Sequence, residues 1–207
     1  AGITNSFNLI DGIDGLAGGL GFMSLITLGL FLTLSHDATI ALIGFALAGG
    51  ILGFLYYNFN PARIFMGDTG SLVLGFAISV LCIRLIGLNI EQLKPVLPHA
   101  PVFTLSIVLI PVFDTLRVFA LRIWKGKSPF DPDKTHIHHL LTNNGWSHSF
   151  ASKLICTAHG FILLLGYFLR NLSQEISMLL LCLTMLVIVF LFKRIKVPAQ
   201  KRSLQLD

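Results

Sequence analysis

Three short polar stretches interrupt an otherwise apolar chain, and each carries residues able to do chemistry. The first is Asn5-Ser6-Phe7-Asn8-Leu9-Ile10-Asp11-Gly12-Ile13-Asp14-Gly15. Asn8, Asp11 and Asp14 recur every three residues, and positions i and i+3 on a helical turn share a face. So arranged, they form an acidic ledge at the mouth of the following helix. Gly12 and Gly15 permit close approach of a ligand or an unusual φ. An ordinary cap, with Asp at the positive end of a helix, would account for one such residue. It fits a repeated Asp-Gly-x-Asp-Gly with two nearby asparagines poorly. The spacing is not that of an EF-hand loop.

The second stretch is Phe65-Met66-Gly67-Asp68-Thr69-Gly70-Ser71. Asp68 suits Mg²⁺, a hard cation that prefers carboxylate oxygen and substrate phosphate. The Gly-flanked helix start could also offer backbone N–H groups to phosphate. Helix capping by Asp or Thr is the competing explanation. The third runs from Arg122 to Trp146 and holds Asp131, Asp133, Lys134 and then His136-Ile137-His138-His139. Three histidines within four residues suit phosphate contacts or acid–base work. Tight structural zinc sites normally use Cys or spaced His pairs, and a solvated polar loop is the plain alternative. Asp114 and Arg117, three apart within an apolar run, are either a structural ion pair or part of a site, since charge inside a membrane is expensive.

These residues need a scaffold, and composition says which kind. The chain is 54% hydrophobic and 12% charged, against about 25% charged in soluble domains. Apolar runs predict an all-α polytopic bundle of six membrane-spanning helices, near 16–35, 39–58, 70–90, 101–122, 151–169 and 175–193. About 20 residues are needed per crossing, and closed backbone hydrogen bonding favours helices there. Residues 1–207 read as one transmembrane domain, with a His-containing loop at 123–150 and a basic tail at 194–207 resembling a membrane-surface anchor. Gly49-x-x-x-Gly53 is a weak helix-packing pattern. Cys82, Cys156 and Cys182 sit in apolar runs and read as buried small residues.

The basic residues set orientation. Arg63, Arg117, Arg122, Lys125, Lys127, Lys134, Lys153, Lys193, Arg194, Lys196, Lys201 and Arg202 fall on or beside one face. Only Arg84, Lys94 and Arg170 fall toward the other. By the positive-inside rule the first face is cytoplasmic. The net charge of +5 therefore reflects membrane topology and not nucleic-acid binding. Asp11, Asp14, Asp68 and the histidines all map to that face, as a site for a polar cytosolic substrate would require.

The stretches NSFNLIDGIDGLAGG, FMGDTGSLVLGF, IPVFDTLRV and SPFDPDKTHIHHLL resemble the polyprenyl-phosphate N-acetylhexosamine-1-phosphate transferases, glycosyltransferase family 4. The HIHH form followed by Leu140-Leu141 is similar to the WecA/TagO branch and differs from the related MraY branch. The resemblance spans nearly the whole chain, with four motifs in family order. It implies transfer of an N-acetylhexosamine 1-phosphate from a UDP-sugar to undecaprenyl phosphate, with release of UMP. The setting it implies is the cytoplasmic side of the bacterial inner membrane, and the product starts a lipid-linked cell-envelope glycan. It implies Mg²⁺ as cofactor, with Mn²⁺ as an alternative, and Asp68 as the metal ligand. Asp11, Asp14, Asp68, His136, His138 and His139 become candidate catalytic residues. Asn5, Asn8, Phe65, Gly67, Asp114, Arg117, Arg122 and Lys134 become candidate substrate contacts. A homodimer is compatible with the family.

One departure bears on function. Family members are longer and carry an Asp-Asp pair in the N-terminal half, absent from this chain. The sequence, which starts at Ala1 inside a polar motif, is thus expected to be the C-terminal portion of a longer protein. Alone it is expected to be inactive. A truncated remnant is the first alternative. A transporter is the second, although its polar residues should cluster near mid-bilayer.

Overall fold

The computed structural model describes residues 1–91, 95–128 and 135–197. It is all helical among those residues. In chain order the helices are α1 (Gly2–Ile10), α2 (Leu16–Leu34), α3 (Ala38–Asn58), α4 (Gly67–Glu91), α5 (Ala100–Trp124), α6 (Ile137–Thr142), α7 (His148–Phe168) and α8 (Gln174–Arg194), with a 3₁₀ turn at Leu169–Asn171 between the last two. Six of them, α2 to α5, α7 and α8, are long and apolar enough to cross a membrane. The chain is a multi-pass membrane bundle. The spans expected from the sequence agree to within about one turn. Two short helices, α1 and α6, were not expected, and α6 lies inside the segment read as a loop.

The packing inverts the soluble pattern only on the outside. Leu16, Leu20, Leu25, Leu28 and Leu32 of α2 are fully buried, as are Ile107 and Ile110 of α5. The outer faces of α3 and α8 leave Leu42, Leu52, Leu179, Leu186 and Phe190 exposed, as lipid-facing helices do. Where helices approach closely, small residues allow it. A Cβ on Gly44 of α3 would lie 3.4 Å from the Gly29 Cα of α2. Gly49 and Gly53 have nothing within 4 Å of an added Cβ, so the expected glycine motif packs against no other described helix. The close pair is Gly29 with Gly44.

One polar tie runs through the middle of the bundle. Pro111 sits within α5 and has no N–H, so the carbonyl of Ile107 loses its helical donor. Ser24 of α2 supplies one, its Oγ donating to Ile107 O at 3.2 Å. The same Oγ lies 3.2 Å from His159 Nε2 on α7. With the serine proton directed to Ile107, the imidazole N–H is the donor to Ser24. One proline thereby explains a polar tie joining three helices. At the end of the bundle opposite the polar motifs, Asp37 caps α3 by accepting from Ile40 N at 3.2 Å. Its other oxygen accepts from Arg84 Nε of α4 at 2.6 Å.

Candidate active site

The remaining polar motifs meet at one end of the bundle, where α1, α3 and α5 finish and α2, α4 and α7 begin. Helix α1 ends at Ile10, and Asp11 is its C-cap. Gly15, in a left-handed conformation at φ 74°, starts α2. The expected ledge of Asn8, Asp11 and Asp14 is therefore not a continuous helical face. It straddles a helix break, and the three side chains do different things.

Asn8, the last of the three still on α1, crosses to α4. Its Nδ2 donates to Asp68 Oδ1 at 3.1 Å and to Ser71 Oγ at 3.0 Å. Asp68 lies in the first turn of α4, which opens with Gly67 at φ 66°. Asp14 turns the other way. Its Oδ2 accepts from Asn60 Nδ2 at 3.1 Å and from Ala62 N at 3.1 Å, fastening the loop between α3 and α4. Asn58, a residue the motifs did not flag, completes that fastening. It is 5% exposed, accepts from Gly15 N at 3.0 Å and donates to Ile64 O at 2.8 Å. An Asn at the end of an apolar helix is common, so nothing in its type alone marked it.

Between these elements lies a pocket of about 240 Å³, lined by Asp11, Gly12, Ile13, Asp14, Asn58, Phe65, Met66, Gly67 and Asp68. Phe65 is 79% exposed and stands at its edge with an open ring face. The Asp11 carboxyl is pushed up to about 6, first by burial and then by the Asp68 charge. It also stands at the negative end of α1. Two carboxylates thus share a space that favours a cation. Among the described residues no three His, Cys, Asp or Glu side chains converge on one point. Asn5 lies exposed on α1 and does not line the pocket.

From α6, held by Asp114 of α5, one of the histidines reaches the acidic loop. Asp114 is 1% exposed. Its Oδ1 accepts from Arg117 Nη2 at 2.7 Å and from Ile137 N at 2.9 Å, while its Oδ2 lies 2.8 Å from His136 Nδ1. Arg117 Nη2 also donates to Thr135 O. These two charges, read from sequence as substrate contacts or a structural pair, form an ion pair that docks the start of α6 onto α5. Past His136, the His138 ring lies parallel to it with centroids 5.9 Å apart. His138 meets the acidic loop directly. A Cβ on Gly12 would sit 2.4 Å from His138 Nε2, so only glycine admits this ring. Burial, then His139, push His138 down to about 3, and its Nδ1 has no partner. His139 is half-buried, its ring 4.2 Å from that of His138. Arg122 is buried near the end of α5, over the Phe119 ring. Lys134 lies outside the described residues.

Residues 1–86, from α1 through most of α4, match glycosyl transferase family 4. The chain belongs to this family. Curated relatives agree. A probable undecaprenyl-phosphate N-acetylglucosaminyl 1-phosphate transferase of Bacillus subtilis (strain 168) is 44% identical over 161 residues, covering 78% of this chain and 43% of that protein. A decaprenyl-phosphate N-acetylglucosaminephosphotransferase of Mycolicibacterium smegmatis is 38% identical over 173 residues, covering 77% and 43%. The undecaprenyl-phosphate alpha-N-acetylglucosaminyl 1-phosphate transferase of Escherichia coli (strain K12) is 36% identical over 166 residues, covering 78% and 44%. This family-4 chain therefore spans a little under half the length of the curated relatives it matches. Its pocket is lined entirely from the matched segment, and His138 packs behind one wall of it at Gly12.

Proposed function

We propose that the protein to which this chain belongs transfers N-acetylhexosamine 1-phosphate, most simply GlcNAc 1-phosphate, from a UDP-sugar to a polyprenyl phosphate, releasing UMP. The observation that carries this is the pocket in which Asp11 and Asp68 share one space, with Asn8 holding Asp68 and Phe65 open beside them. The names of the relatives support the polyprenyl-phosphate acceptor and the sugar phosphate. The basic residues support a cytoplasmic site, where nucleotide sugars are available.

The donor set suits Mg²⁺, which takes one or two carboxylates and completes its shell with water and substrate phosphate. Asp68 and Asp11 would hold it, and when bound it neutralises charge on the transferring phosphate. Phosphoryl transfer depends mainly on positioning and charge stabilisation. Asn8 orients Asp68, the Asp14–Asn60 and Asn58–Gly15 ties keep the pocket walls in register, and Phe65 offers a stacking surface for the base. The acceptor tail finds apolar walls at the membrane boundary.

The test uses the full-length protein in detergent or nanodiscs. Asp68→Asn should reduce Mg²⁺-dependent release of UMP from UDP-GlcNAc and lipid phosphate by at least about 10²-fold. Activity close to the unsubstituted enzyme would remove Asp68 from the metal role.

A further inference from the structure

We propose that a hollow in the α3–α4 loop seats the phosphate headgroup of an anionic bilayer lipid that is not a reactant, and that a lipid held there steadies the wall of the reaction pocket. The seat stands apart from the transferase reading above, whereas its effect on turnover rests on that reading. The hollow holds about 270 Å³ and is lined by Tyr56, Tyr57, Phe59, Pro61 and Arg63. It shares no lining residue with the pocket of Asp11 and Asp68. Helix α3 ends at Asn58, and Arg63 N donates to Tyr57 O at 2.7 Å, folding the loop back on the last turn of α3. A guanidinium is thereby brought beside two tyrosines at the end of a spanning helix. At that depth hydrocarbon gives way to headgroups, and tyrosines gather there.

The loop divides its residues between two sites. Asn58, Asn60 and Ala62 bond to Gly15 and Asp14 of the acidic loop, while Phe59, Pro61 and Arg63, alternating with them, line the hollow. Among the described residues, the Arg63 side chain and both tyrosine hydroxyls have no hydrogen-bond or ion-pair partner. A guanidinium presents paired donors that match phosphate oxygens, and each phenol adds one more. Tyr56 is 80% exposed and meets the Tyr57 ring edge-on at 4.9 Å, so the apolar stem below a headgroup finds aromatic faces. A second cation stands close by: Lys153 Nζ of α7 lies 5.8 Å from the centre of the Phe59 ring. No carboxylate lines the hollow, so its charge suits an anion. In the orientation proposed above it opens at the cytoplasmic leaflet, whose anionic lipids attract each basic residue about fivefold. A lipid seated there lies outside the reaction pocket and acts by bracing. It grips a loop that holds Asp14 through Asn60 and Ala62 and that carries Phe65 and Met66 into the pocket wall.

The test uses the full-length protein. With phosphatidylglycerol and phosphatidylcholine added together in detergent, native mass spectrometry should find phosphatidylglycerol retained in preference. Arg63→Gln should lower that retention about fivefold, and Arg63→Lys, which keeps the charge, should hold an intermediate amount. Lys153→Gln should weaken retention in the same direction, which keeps the test decisive if Arg63→Gln does not fold. In nanodiscs, the unsubstituted protein should release UMP faster in an equal mixture of the two lipids than in phosphatidylcholine alone, and Arg63→Gln should lose that difference. Equal retention of both lipids, or retention unchanged in both glutamine variants, would overturn the seat. So would displacement of the lipid by inorganic phosphate, which would make the hollow a site for soluble anions. Retention with one rate in both bilayers would overturn the bracing of the pocket wall. If no bilayer supports UMP release, the transferase reading fails while the retention measurements still decide the seat.

Discussion

Asp11 and His138 are displaced from their ordinary protonation ranges in opposite senses, and both displacements originate in burial beside the same pocket. Their effects on stability are opposite in sign. His138 is neutral in folded and unfolded chains above about 6.5. Below that the unfolded chain binds a proton that the folded protein refuses until about 3, so stability falls with pH through this window. Asp11 keeps its proton up to about 6 when folded and only to 3.8 when unfolded, so it contributes stability as pH falls from 6 toward 3.8. Each proton is worth at most about 1.4 kcal/mol per pH unit. His138→Asn should therefore flatten the loss of thermal stability between pH 7 and pH 5, and Asp11→Asn should steepen it, both read by unfolding in detergent. Mg²⁺ added above pH 6 should raise the melting temperature of the unsubstituted protein more than that of Asp11→Asn. The residue types here were plain in the sequence because repeated Asp-Gly and clustered histidines are unusual beside apolar runs. Their partners were not. Nothing in the spacing of Asp14 says that it would accept from Asn60 and Ala62, or that Asp114 would face inward.

At the level of elements, α6 is too short to hold itself. Its position depends on Asp114 at one end and on a clasp at the other. There Asn144 Nδ2 lies 3.1 to 3.3 Å from the carbonyls of Phe192 and Lys193 in α8 and of Ile195 at its C-cap, with two protons to share among them, and Trp146 Nε1 donates to Ile195 O at 3.3 Å. The last carbonyls of a helix have no partners of their own, so a neighbouring turn supplies them. Asn144→Ala should cost about 1 kcal/mol and speed hydrogen exchange in the final turn of α8 and in α6, leaving α2 and α3 unchanged. Uniform exchange across all helices would contradict the clasp. The long spans were legible because twenty consecutive apolar residues permit little else in a bilayer. Helices α1 and α6 were not, since nine and six residues carry too little periodicity, and α6 is held by contacts distant in sequence.

Across the whole molecule, the proposed orientation places α6 and the pocket on the cytoplasmic side. In a full-length variant lacking native cysteines, Asn143→Cys should react with an impermeant thiol reagent only in inside-out vesicles, and Leu172→Cys only in right-side-out ones. The reverse pattern would invert the topology and remove the site from its nucleotide supply. That the polar motifs share one end of the bundle was readable from the number of apolar runs between them, whereas the Gly29–Gly44 approach was not, because glycine is frequent throughout the chain. The Asp37–Arg84 bond bears on depth. Asp37 sits at the tip of the α2–α3 hairpin and Arg84 stands 47 residues later on α4. Tying the two limits how far α4 slides along its own axis past that hairpin, and with it the height at which Asp68 stands.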